Sequence, residues 1–171
     1  MNISTYTLAA FAGILLTLAS CQSTKKTEDA KIATTDTTAV ATDTALVATI
    51  QANPDYRLQD SISVLFIVSN PTPDTLRFTQ YHTPFEGFMS NFLTITDASG
   101  AEVPYIGAMT RRIMPPPEET YHTLAPRAQD SVRFALSKGY HFEKPGTYSL
   151  LYNSGTISGI SQTEATEIVL K

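Results

Sequence analysis

S-I-S-V-L-F-I-V-S, residues 61–69, settles the fold class. Ile62, Val64, Phe66 and Val68 recur at every second position, and Ser61, Ser63 and Ser69 fall on the opposite parity. Successive side chains of a strand point to opposite faces, so this spacing builds a strand with one apolar face. The same period recurs along the chain. In D-S-V-R-F-A-L, Val132, Phe134 and Leu136 alternate with Ser131, Arg133 and Ala135. In T-Y-S-L-L-Y-N, Tyr148, Leu150 and Tyr152 form the expected inner row. Leu93 and Ile95 do the same in F-L-T-I-T-D, with a turn at Ala98-Ser99-Gly100 leading to a predicted strand over Val103–Ile106. Further strands are expected at 45–51, 75–81, 120–124 and 165–170.

No window from Leu46 to Lys171 carries a 3.6-residue apolar stripe, and the prolines fall nearly all between the expected strands. Short alternating strands with turns every 8 to 12 residues or so predict an all-β, immunoglobulin-like antiparallel sandwich over residues 46–171. P-G-T-Y, residues 145–148, places Tyr148 at a strand start just after a turn, where such sandwiches carry a tyrosine corner. The core tryptophan and paired cysteines of antibody domains are missing: the chain has no tryptophan and one cysteine.

That cysteine lies upstream of the sandwich. Residues 1–21 hold no charged side chain, and Leu8 to Leu18 is an apolar run ending in L-A-S-C, residues 18–21. Eleven residues are short for a membrane span, which needs about 20, and suit the core of a secretion signal. L-A-S-C resembles the lipobox of bacterial lipoproteins, although no Lys or Arg precedes the apolar run. The resemblance implies a signal peptide over 1–20 and a lipidated Cys21 whose acyl chains, such as palmitate, hold the protein at a membrane. A lone thiol in an exported protein has no internal partner, so lipidation accounts for it better than a disulfide. Gln22 rather than Asp after the cysteine points, by analogy with enteric bacteria, to the outer membrane of the cell envelope. Residues 22–45 hold eight threonines and no aromatic, with charges of both signs. Such a segment buries too little apolar surface to offset its ordering entropy, so 21–45 is expected to be a tether.

The net charge of −4 and the absence of a basic stripe exclude nucleic acid as an expected partner. Chemistry is equally hard to find. In Y-H-T-P-F-E-G-F, residues 81–88, His82 and Glu86 can be read as metal ligands, an acid–base pair or two polar residues of an ordered turn. Pro84 disfavours helix at Thr83, and Gly87 interrupts the pattern on the other side. The helical zinc motif H-E-x-x-H is absent, and His82, His122 and His141 are isolated from one another. G-T-I-S-G at 155–159 has the wrong spacing for a nucleophile elbow. The expectation is therefore no enzyme, no cofactor and no metal. Two loops remain as candidate binding elements. One is built on His82, Thr83, Pro84, Phe85, Glu86 and Gly87. The other is M-T-R-R-I-M-P-P-P-E-E-T-Y-H, residues 109–122, where three prolines stiffen the backbone behind Arg111 and Arg112. A connection simply folded on its own domain is the alternative for each.

Together these loops carry a second resemblance. N-P-T (70–72), T-P-F-E-G (83–87), V-P-Y-I-G (103–107), R-R (111–112), L-A-P (124–126), K-G-Y (138–140) and P-G-T-Y (145–148) follow in an order similar to one known domain. It is the non-catalytic β-sandwich that precedes the zinc domain of bacterial lysyl-specific, deuterolysin-like metalloendopeptidases. The resemblance spans roughly residues 46–155, and the sequence here ends at Lys171, where the zinc domain is expected to begin. It implies a leader domain that covers, chaperones or inhibits a peptidase in trans or docks another envelope protein. Val103, Pro104, Tyr105 and Gly107 join the candidate binding residues on this ground. It further implies that Glu86 orders its loop by accepting nearby amides and that Gly87 permits a left-handed turn. The runner-up function is a structural or adhesive module binding glycans or surface proteins through tyrosines such as Tyr105 or Tyr121. A hydrolase with dispersed residues ranks last.

Overall fold

The computed structural model describes residues 46–171. The expected signal peptide, Cys21 and the expected tether lie outside the described residues. Ten strands follow in order: β1 (Leu46–Gln51), β2 (Asp55–Tyr56), β3 (Ser63–Ser69), β4 (Leu76–Thr79), β5 (Leu93–Asp97), β6 (Tyr121–Leu124), β7 (Gln129–Ala135), β8 (Gly146–Tyr152), β9 (Ile160–Ser161) and β10 (Thr166–Leu170). Among the described residues there is no α-helix, only three short 3-10 turns.

The strands form an immunoglobulin-like sandwich. One sheet runs β7-β3-β1-β9 and the other β2-β10-β8-β5, with β4 and β6 pairing as a separate ribbon. The central triples β7-β3-β1 and β10-β8-β5 reproduce the E-B-A and G-F-C orders of immunoglobulin sheets. The inner rows are those read from the periodicity. Ile62, Val64, Phe66 and Val68 are buried, and so are Leu93, Ile95, Tyr148, Leu150 and Tyr152 of the facing sheet. Phe66 meets Tyr152 across the layers, ring centroids 5.1 Å apart. All these residues belong to one core, which holds the two sheets together by burying their alternate side chains.

Tyr148 makes the expected corner. Its hydroxyl donates to the carbonyl of Lys144, four residues upstream, at 2.7 Å, closing the turn that feeds β8. Tyr148→Phe removes that bond and leaves a carbonyl short of a donor, so it is expected to cost about 1–1.5 kcal/mol. Urea unfolding of the two proteins measures the difference as a shift of midpoint at constant slope.

Three expectations need correction. The sheets are not purely antiparallel: β1 pairs with β9, and β10 with β2, in parallel two-residue contacts. Both are too short to leave a period in the sequence, and they cap what are otherwise the open edges of β1 and β10. The predicted strand at Val103–Ile106 does not form. Val103 N still donates to Ile95 O at 2.8 Å beside β5, but Pro104 has no N–H to continue that ladder. The chain crosses to the 139–141 segment instead, with Ile106 N on Gly139 O and His141 N on Pro104 O. Finally, Leu136 is buried as expected but opens a 3-10 turn, Leu136–Lys138, rather than ending β7.

Asp97 closes β5 into its turn. Its carboxylate accepts from the amides of Ser99 (2.9 Å) and Ala101 (3.1 Å) and pairs with Lys144 at 3.0 Å. The Ser99 hydroxyl and then Lys144 hold its pKa below the ordinary aspartate range.

Candidate functional site

The first candidate loop is a polar structure wound on a buried stem. Thr83, fully buried, caps the 3-10 turn Pro84–Glu86: its hydroxyl oxygen accepts from Phe85 N at 3.2 Å and donates to Gln80 O at 2.7 Å. Phe85 points inward against Phe66 and Phe78. Gly87 leaves the turn at φ 70°, ψ −157°, a conformation open essentially to glycine alone. His82 sits at φ 58°, uncommon for a side-chain-bearing residue. Two bonds hold it there: its N–H donates to Glu86 Oε1 at 2.9 Å, and its carbonyl accepts from the Tyr152 hydroxyl at 3.0 Å. Of the three readings of His82 and Glu86, the geometry is that of an ordered turn. The carboxylate grips the histidine's backbone, not its ring.

The second loop crosses the first and is anchored to it. Glu86 Oε1 also accepts from Ser90 Oγ at 3.2 Å and forms an ion pair with Arg112 Nη2. The Glu86 side chain is 5% exposed and that of Arg112 15%. The guanidinium lies over the Tyr81 ring, 4.8 Å from its centroid. Nη2 approaches the carboxylate off the line of a hydrogen bond, and Nε has no partner among the described residues. Arg112 is thus a buried charge held by one carboxylate and one aromatic face.

Phe88 ties the remaining motifs together. A Cβ on Gly139 would fall 2.0 Å from the Phe88 ring; one on Gly107 would fall 2.9 Å from Phe88 Cβ and 2.3 Å from the Tyr105 hydroxyl. K-G-Y and V-P-Y-I-G therefore require glycine so that this phenylalanine can lie flat in the seam, beside Phe92, Phe134 and Tyr140. Backbone bonds from Ala108 N to Phe88 O (2.9 Å) and Thr110 N to Met89 O (3.0 Å) dock the segment 103–117 along the side of the sandwich as a strap. Tyr140 anchors the strap's base. Its hydroxyl accepts from Leu93 N at 2.9 Å and donates to Asn91 Oδ1, and burial pushes its pKa above the ordinary tyrosine range.

The candidate residues therefore divide. Thr83, Pro84 and Val103 are buried, Phe85 packs on the core, and Glu86 and Arg112 are ion-paired with each other. Tyr105 is half-buried, its hydroxyl donating to Ala108 O at 3.0 Å. Gly87, Pro104 and Arg111 remain exposed. The loop 109–122 was a candidate in the sequence, but not through the apolar side chains that the strap presents outward: Ile106 (57% exposed), Met109 (77%), Ile113 (70%) and Met114 (58%), with Met89 (41%) beside them. The signal was there in principle, as large apolar residues in a stretch with no strand period. Among the described residues no group of three His, Cys, Asp or Glu side chains is placed to hold a metal ion. The His122 ring packs beneath the first loop, 4.7 Å from Phe85 and stacked on Phe78 at 4.9 Å, with Nδ1 3.1 Å from Asp130 Oδ2.

No protein-family model and no curated protein matches the chain. Among solved structures, a β-glucosidase from Erythrobacter marinus is similar over 74% of this chain and 16% of that enzyme, with 17% identity and a TM-score of 0.40. The chain spans about a sixth of that enzyme's length, and a likeness at this level carries no argument about function.

Proposed function

We propose that the protein is a lipid-anchored, non-enzymatic binding module of the bacterial envelope that presents the strap 103–117 to another protein. The observation that carries this reading is the outward row of Ile106, Met109, Ile113 and Met114 on a backbone fixed from below by Arg112 and Phe88. Several large apolar side chains exposed within one loop cost solubility unless something covers them, and methionine adapts to varied partner surfaces. A backbone already held in place loses little entropy on binding. The resemblance to a peptidase leader domain makes an envelope peptidase, covered or inhibited in trans, the partner class to test first.

The glycan reading is less well supported. Tyr105 is engaged as described, and the Arg77 guanidinium covers one face of Tyr121 at 4.0 Å, so neither ring is a free stacking platform.

Two experiments test the proposal. Labelled palmitate should enter the wild type and not Cys21→Ala, and the variant should leave the membrane fraction, because several acyl chains at about 0.8 kcal/mol per CH₂ supply the anchor. Equal labelling of both proteins contradicts the anchor. Affinity recovery from envelope extract should yield a peptidase with the wild type and lose it with Met109→Asp. Recovery of none, with secreted proteolysis unaffected by deletion of the protein, contradicts the peptidase version.

A further inference from the structure

The sequence of the strap's continuation is symmetric in charge about Pro115. Arg111 and Glu119 stand four positions to either side, Arg112 and Glu118 three, Ile113 and Pro117 two. The inner charges are used within the chain. Arg112 lies on Glu86, and Glu118 makes a two-pronged pair with Arg77 at 2.6 and 3.0 Å. Arg111 and Glu119 are both exposed, and neither has an ion-pair partner among the described residues. Exposed Ile113 and Met114 lie between them.

A two-fold contact is reciprocal: a residue that meets another on the second copy is met by it in return. Run against itself about Pro115, this segment sets Arg111 against Glu119 twice, with Ile113 and Met114 of both chains between the two pairs. We infer that this face pairs with a second copy of the chain, the apolar residues sealing the centre and the Arg111–Glu119 pairs fixing the register. The inference rests on reading the strap as a docking surface, and it names the occupant.

Charge argues against strongly charged partners. Ile106 to Glu119 carries two arginines and two glutamates, no net charge, so neither an anionic lipid surface nor a strongly acidic peptide is preferred. One loop pair gives an interface at the small, transient end of the range. Anchoring both copies to one membrane raises their effective concentration and makes such a contact sufficient.

Cross-linking of the full-length protein in its membrane tests this. Met114→Cys sits next to the proposed axis, Glu167→Cys lies on the exposed side of β10, and the wild type reports any contribution from Cys21. With a short bismaleimide, Met114→Cys should give covalent dimer at least about five-fold above both controls. Added to it, Arg111→Glu or Glu119→Arg alone sets like charges together at two places and should cut the yield about three-fold or more. The exchange Arg111→Glu with Glu119→Arg should restore it. Dimer no higher than with Glu167→Cys, or an exchange no better than either single change, overturns the inference. If Met109→Asp still abolishes partner recovery in that case, the docking surface stands and only self-pairing fails.

Discussion

Replacing Asn70 with alanine should destabilise the sandwich by about 3–4 kcal/mol, more than most core truncations to a smaller aliphatic. Asn70 is 1% exposed and joins three stretches of chain. Its Nδ2 donates to the carbonyls of Asp74 (2.7 Å), Leu124 (3.2 Å) and Ala125 (3.0 Å). Its Oδ1 accepts from the amide and hydroxyl of Thr72 at 3.0 and 2.7 Å. The two Nδ2 hydrogens serve three acceptors, so at least one bond is shared and the five contacts do not add in full. Alanine leaves buried donors and acceptors unmet, and an unmet buried group costs about 1–3 kcal/mol, against about 1 for the net worth of a made bond. Thermal unfolding should fall by roughly 10 °C or more. Asn70→Asp is the sharper comparison: it keeps the acceptor and loses the two donors, so the carbonyls of Leu124 and Ala125 face a carboxylate. A loss under about 1 kcal/mol for Asn70→Ala contradicts this account of how N-P-T and L-A-P are joined.

The second large effect is expected at Arg112. Arg112→Ala strips the counter-charge from a carboxylate that is almost fully buried, and breaking such a pair from one side costs about 3–5 kcal/mol. Removing both charges is expected to cost far less, because the uncompensated charge disappears with its partner. Arg112→Met with Glu86→Gln should therefore recover much of the stability lost in Arg112→Met alone, Gln retaining an acceptor for His82 N. Chemical denaturation of the four proteins of this cycle measures the coupling directly. A coupling near zero would mean that Arg112 is held by Tyr81 alone.

These two residues show how far the sequence carries. The sandwich was legible because the strands carry inward apolar rows with a period of two, buried in Ile62–Val68 and Tyr148–Tyr152 and half-buried at Val132 and Phe134 of the edge strand β7. The tyrosine corner was legible because a turn, P-G, stands immediately before an inward tyrosine. Two-residue strands such as β2 and β9 have no room for a period. The strap was misread as a strand at Val103–Ile106 because alternation there reflects two different neighbours, β5 and then the 139–141 segment. The candidate loops were found as unusual sequence, but their chemistry was not. Glu86 and Arg112 are 26 positions apart on separate loops, and only folding brings them together. Most residues that carry the resemblance prove to be joints of the scaffold: Asn70 a hub, Thr83 a cap, Gly107 and Gly139 spaces for rings. The surface available for recognition lies on Ile106 of V-P-Y-I-G and on Met109, Ile113 and Met114 between the motifs, where exposure rather than pattern marks it.

This division yields the most direct test of the central claim, that the strap's inward face holds the fold while its outward face is kept for a partner. The triple variant Ile106→Asp, Met109→Asp, Ile113→Asp alters only exposed side chains, whose replacement typically changes stability by no more than about 0.5 kcal/mol each. Its calorimetric melting temperature should lie within about 5 °C of the wild type, far above that of Arg112→Ala. A fall as large as that of Arg112→Ala would mean that these side chains belong to the core, and the docking surface would be lost with it.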